Sequence, residues 1–237
     1  MLLRESRDCT RFLSETQKKG DTSVKKVQHS PSIILMLGWI ILVSIITQSI
    51  SSVFFSKSIV YILTSLITYF FGYGISIYAY FRENGWPDMR NIFTFKFKAK
   101  YGLAILLGTL LLLLTSYITH LFSGSHAEGS ASIILQSSTL IKLLWVLNSC
   151  IIAPIFEEVL YRGIISGYYK NNGIIYSPNV IISIALFSIM HGTINYLPFY
   201  ALISIINTYL LFSSKSIIYS IIQHSIINSI MMFFLLV

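Results

Sequence analysis

The chain has 237 residues, 54% hydrophobic and 11% charged, with a mean hydropathy of +0.72 and a formal net charge of +8. Soluble domains carry roughly a quarter charged residues, so this composition excludes an ordinary globular enzyme and describes a polytopic membrane protein with room for one helical bundle. The positive charge does not describe a nucleic-acid binder, because the basic residues lie in loops on one side of the membrane rather than in a compact basic domain.

Residues 1–31 are polar, with seven Lys/Arg and four Asp/Glu, and lack the h-region and cleavage site of a signal peptide; they read as a cytoplasmic N-terminal extension. Residues 32–237 form the transmembrane domain. Its apolar segments run at about Ile33–Phe55, Ile59–Tyr80, Tyr101–Leu121, Leu140–Ile165, Ile174–Met190, Phe199–Phe212 and Ile217–Val237. Most have the roughly 20 residues needed to cross a bilayer. The expected fold is all-α, a bundle of about seven helices (six to eight), with Phe199–Phe212 the shortest segment and a candidate half-buried or re-entrant piece. With the N-terminus inside, fourteen Lys/Arg fall on the cytoplasmic side and only Lys57 and Lys142 outside. Gly85-Trp86-Pro87 is a turn in the basic inner loop, and Phe93–Lys100, alternating aromatic and basic residues, reads as a membrane-surface anchor. The link Ser123–Ser138 becomes an outer loop, and His120 and His126 near its start lack metal-ligand spacing. Cys9 and Cys150 lie far apart in unlike settings and build neither a disulfide framework nor a CxxC site.

The fourth segment carries Ala153-Pro-Ile-Phe-Glu-Glu-Val-Leu-Tyr-Arg-Gly163, whose Glu157 and Glu158 are the last acidic residues of the chain. A carboxylate in hydrocarbon costs several kcal/mol by insertion scales, so an intramembrane pair marks a functional site. Glu158 and Arg162, at i and i+4, share a helix face and form an ion pair. Glu157 points about 100° away and is left without that partner, available for proton transfer. Pro154 removes a backbone donor beside the acids, and the freed carbonyl gives water an entry. Phe187 precedes His191 by one turn in the fifth segment, and His224 and Asn228 stand at i and i+4 in the last, with both side chains expected in one cavity. Counted from the helix ends, Glu157, His191 and His224 sit about 13–22 Å from the cytoplasmic face, near the membrane middle or its inner half.

EExxxR, FxxxH and HxxxN, in that order on three apolar helices, resemble the CPBP family: the CAAX proteases and bacteriocin-processing proteins, also called Abi proteins. The resemblance covers about residues 140–230, the catalytic half. It implies that Glu157 and His191 activate the attacking water, that His224 and Asn228 stabilise the oxyanion, and that Glu158 with Arg162, supported by Phe187, hold the site together. Peptide hydrolysis needs these parts: a water nucleophile, a base and donors for the tetrahedral oxyanion. One carboxylate and two histidines, Glu157, His191 and His224, is also a set compatible with zinc or another divalent metal, and the metal-free Glu/His site is the other reading. The zincin helix motif HExxH is absent.

The expected activity is therefore an intramembrane endopeptidase of a bacterial cytoplasmic membrane, acting on a peptide or membrane protein from the inner leaflet or cytoplasm, in leader or bacteriocin processing or in self-immunity. Two other classes fit the same residues. A non-catalytic immunity or scaffold protein keeps its phenotype when Glu157 or His191 is replaced. An ion-coupled transporter uses the buried carboxylates for flux, a reading weakened by the lack of an internal repeat.

Overall fold

The computed structural model describes residues 31–53, 58–86, 93–95, 98–123, 134–171, 178–191 and 194–236. The N-terminal extension with Cys9, the outer link with His126, Lys57, Pro87 and the start of the fifth segment before Pro178 lie outside them. Among the described residues there are seven helices and no strand: α1 (Pro31–Val53), α2 (Ile59–Asn84), α3 (Ala99–Ser123), α4 (Thr139–Ile165), α5 (Pro178–His191), α6 (Leu197–Ser214) and α7 (Ile217–Leu236). Backbone groups have no water partner in hydrocarbon, and helices satisfy them internally, which is why apolar segments of this length adopt this form.

Five of the helices are long and apolar enough to cross a membrane. The sixth segment is one of them and corrects the expectation of a short or re-entrant piece: a single 3₁₀ turn, Ile194–Tyr196, feeds α6, and together they span Ile194–Ser214. Pro198 opens that helix in its first turn, where its missing N–H is not needed. The described helix of the fifth segment, Pro178–His191, has 14 residues.

Two helices widen where they meet the acids. α4 contains π-helical stretches at Asn148–Ile152 and Glu158–Ile165, and α2 contains one at Thr68–Gly74. Such turns turn side chains away from the regular helical rows and concentrate at functional sites. α4 closes at Gly167, whose φ of +75° lies in the left-handed region that glycine enters without strain. Gly163 is required for a different reason, since any Cβ there would overlap the Tyr169 ring.

The main apolar cluster draws on all seven helices, with Leu160, Phe187, Ile203, Leu211 and Ile227 from α4–α7 and Ile40, Phe81 and Leu112 from α1–α3. α3 joins through Gln223 Nε2 donating to Thr109 Oγ1 at 3.1 Å, and Tyr101 donating to the Ser213 carbonyl at 2.7 Å. α1 leans on α2 through Trp39 Nε1, which donates to the Phe71 carbonyl at 2.9 Å, and through the Thr47 and Thr68 hydroxyls, 2.9 Å apart.

Candidate active site

α4 presents its two carboxylates to different neighbours. Glu158 faces α6 and α7 and is fully buried. It makes an ion pair with Arg162 (Nε to Oε2, 3.2 Å), as the i, i+4 spacing predicts. Its other oxygen accepts from Asn207 Nδ2 at 2.9 Å and from His224 Nδ1 at 2.8 Å. The Arg162 guanidinium, also fully buried, stacks 3.9 Å from the centre of the Phe187 ring. A desolvated cation over an aromatic face gains about 2 kcal/mol, which gives Phe187 a role beyond filling space.

Glu157 faces α2 and α5. It is not the unpaired carboxylate expected from the helical wheel. Tyr69 donates its hydroxyl to Oε1 at 2.7 Å, His191 Nε2 lies 3.1 Å from Oε2, and His224 Nε2 lies 3.8 Å from the same oxygen. What Glu157 lacks is a permanent cation; its partners are a hydroxyl and two imidazoles.

The other ring nitrogens fix the protons. His191 Nδ1 sits 2.7 Å from the Phe187 carbonyl, which only accepts, so Nδ1 carries hydrogen. His224 Nδ1 likewise faces the arginine-paired carboxylate of Glu158. Both Nε2 atoms are thus left to take or give a proton, and both point at Glu157 Oε2.

His191 and Glu157 reach a cavity of about 430 Å³ that also touches Tyr69, Tyr73 and Thr68 of α2. The His191 side chain is 22% exposed and that of Glu157 3%. His224 stands behind them, buried, with its ring 5.8 Å from that of Phe187.

Asn228 does not join this group. Its Nδ2 donates to the Ser149 carbonyl at 2.8 Å, so its amide is committed to α4 backbone rather than to the cavity. The cause is Pro154. In the π-helical stretch Ala153 N–H bonds back five residues to the Asn148 carbonyl. The next donor in that register would be Pro154, which has no N–H, and the Ser149 carbonyl is left to Asn228. The carbonyl freed by the proline, expected to admit water, is taken by a side chain.

Tyr69 and Asn207 were not singled out from the sequence. A lone amide inside Phe199–Phe212 was the available signal for Asn207; Tyr69, in a tyrosine-rich segment far from the motifs, offered none. As for a metal, the donor types are suitable and both histidines are oriented through Nδ1 as ligands usually are. The placement is not: among the described residues no three His, Cys, Asp or Glu side chains are arranged to hold an ion, and Glu157 and His191 are in direct hydrogen-bond contact.

Residues 139–230 match the family model of Rce1-like proteins, described as type II CAAX prenyl endopeptidase Rce1-like. No curated protein and no solved structure gave a match.

Proposed function

We propose that this chain, whose residues 139–230 match the Rce1-like family model, is an intramembrane endopeptidase of the CAAX-protease (CPBP) kind whose Glu157–His191 pair activates water without a metal. The observation that carries this reading is the convergence of both histidine Nε2 atoms on Glu157 Oε2 beside a cavity within a helical bundle.

Water held between the cavity and the pair gives a proton to Glu157 or His191, and its oxygen attacks the carbonyl carbon of the scissile peptide. The tetrahedral oxyanion draws its donor from His224 Nε2. The C–N bond then breaks, and the proton taken from water passes to the departing amine. Glu158 and Arg162 hold His224 in place, and Tyr69 fixes the rotamer of Glu157. Asn228 is a positioning residue that sets α7, and with it His224, against α4. The substrate is a peptide or membrane protein of the bacterial cytoplasmic membrane, processed as a leader or bacteriocin or in self-immunity.

The test is purified protein in liposomes with a library of membrane-associated peptides. Wild type should cleave at least one of them, and Glu157→Gln should lower the rate about 10²–10⁴-fold, the usual contribution of a general base. Cleavage should withstand chelators, and metal analysis should find no stoichiometric ion. Equal cleavage by wild type and Glu157→Gln, or none by either, sinks the reading.

A further inference from the structure

The cavity that ends on Glu157 has walls the chemistry above does not use. On α1, Ser44, Thr47 and Gln48 stand at i, i+3 and i+4. On α2, Tyr61, Thr64, Ser65 and Thr68 stand at i, i+3, i+4 and i+7, and Tyr69 carries that stripe to the carboxylate. The positions between these residues, Ile45, Ile46, Ile62, Leu63, Leu66 and Ile67, are apolar. Another groove of the same seam, about 460 Å³, is lined by Trp39, Val43, Ile46, Leu63 and Ile67, and Thr47 and Thr64 border both hollows. Two polar stripes at helical spacing, facing one cavity, are an arrangement and not an average property of the helices.

Hydrolysis inside a membrane has a requirement that such walls meet. A helical substrate must unwind at the scissile bond before its carbonyl can be attacked, and each freed N–H or C=O left unsatisfied in hydrocarbon costs several kcal/mol. The Thr47 and Thr68 hydroxyls meet at 2.9 Å, so one donates to the other and the second donates to its own helix backbone, which leaves each oxygen a lone pair to accept with. Gln48, exposed on α1, adds an amide with both donors and an acceptor. From Tyr61 to Tyr69 the α2 stripe rises about 12 Å at 1.5 Å per residue, the length of about four residues of extended chain.

We propose that the facing stripes of α1 and α2 form the substrate cleft, which receives an unwound stretch of about four residues on one side of the scissile bond and hydrogen-bonds its backbone. This rests on the protease reading and names what its cavity takes. The apolar groove beside it is no part of the cleft.

The probe is the same peptide library in liposomes. A benzophenone side chain introduced at Gln48 in a Glu157→Gln background should capture peptide on illumination, and one introduced at Ile46, on the same helix but in the apolar groove, should capture little. In otherwise wild-type protein, Gln48→Leu should raise KM about tenfold with kcat unchanged, while Ile46→Leu should change neither. Equal capture at the two positions, or an unchanged KM in Gln48→Leu, overturns the cleft while leaving Glu157-dependent cleavage standing. Absence of cleavage by wild type overturns the protease reading instead; capture confined to Gln48 then still supports a peptide cleft, and lack of it overturns the cleft too.

Discussion

Glu157 and Glu158 are neighbours in sequence and opposites in surroundings. Glu158 is sealed: an amide and an imidazole donate to one oxygen, the Arg162 guanidinium lies beside the other, and the residue does not line the cavity. Glu157 is held by groups that can let go, a hydroxyl and two imidazoles, and one of these is partly exposed. On the proposed mechanism the carboxylate beside a permanent cation is the structural one, and the carboxylate held by a hydroxyl and imidazoles is the reactive one. The helical wheel separates the two acids by direction. The neighbours that separate them by role come from α2, α5, α6 and α7.

The largest effect should come from the open side. Glu157→Gln should remove about 10³-fold of the cleavage rate, within the general-base range, with the melting temperature nearly unchanged. The sealed side should answer in stability. Arg162→Met leaves Glu158 buried without its counter-charge and should cost about 3–5 kcal/mol, read as a fall in melting temperature in detergent. Glu158→Gln combined with Arg162→Met should cost less than Arg162→Met alone, because no buried charge is then left over. If Arg162→Met instead keeps its melting temperature, the division between sealed and open acids fails. Asn207→Leu takes one donor from Glu158 and should cost about 1–3 kcal/mol. Tyr69→Phe is the smallest change. It frees Glu157 Oε1 from a single hydrogen bond and should lower kcat about tenfold, with KM and melting temperature close to wild type.

The residues bearing charge or imidazole were legible in the sequence, since Glu157, Glu158, Arg162, His191 and His224 have few reasons to stand in apolar segments. The structure brings these five together with Phe187. Hydroxyls and amides were less legible, because membrane helices use them freely for packing. Asn207 and Tyr69 therefore escaped notice while Asn228 was given a place in the cavity. The bond of Asn228 to Ser149 goes with the π register of the helix around Asn148–Ile152, which leaves no mark in composition or periodicity. Hydropathy predicts an apolar segment, while the start of α6 at Leu197 is set by the 3₁₀ turn before it and by Pro198.

The link between Pro154 and Asn228 makes the worth of one residue conditional on another. Asn228 substitutes for a donor that Pro154 does not have, and Pro154→Ala would return that donor to the Ser149 carbonyl. Asn228→Ala should be costly beside the proline and nearly silent beside the alanine. A screen for suppressors of Asn228→Ala should therefore recover changes at Pro154, a position with which its side chain shares no hydrogen bond.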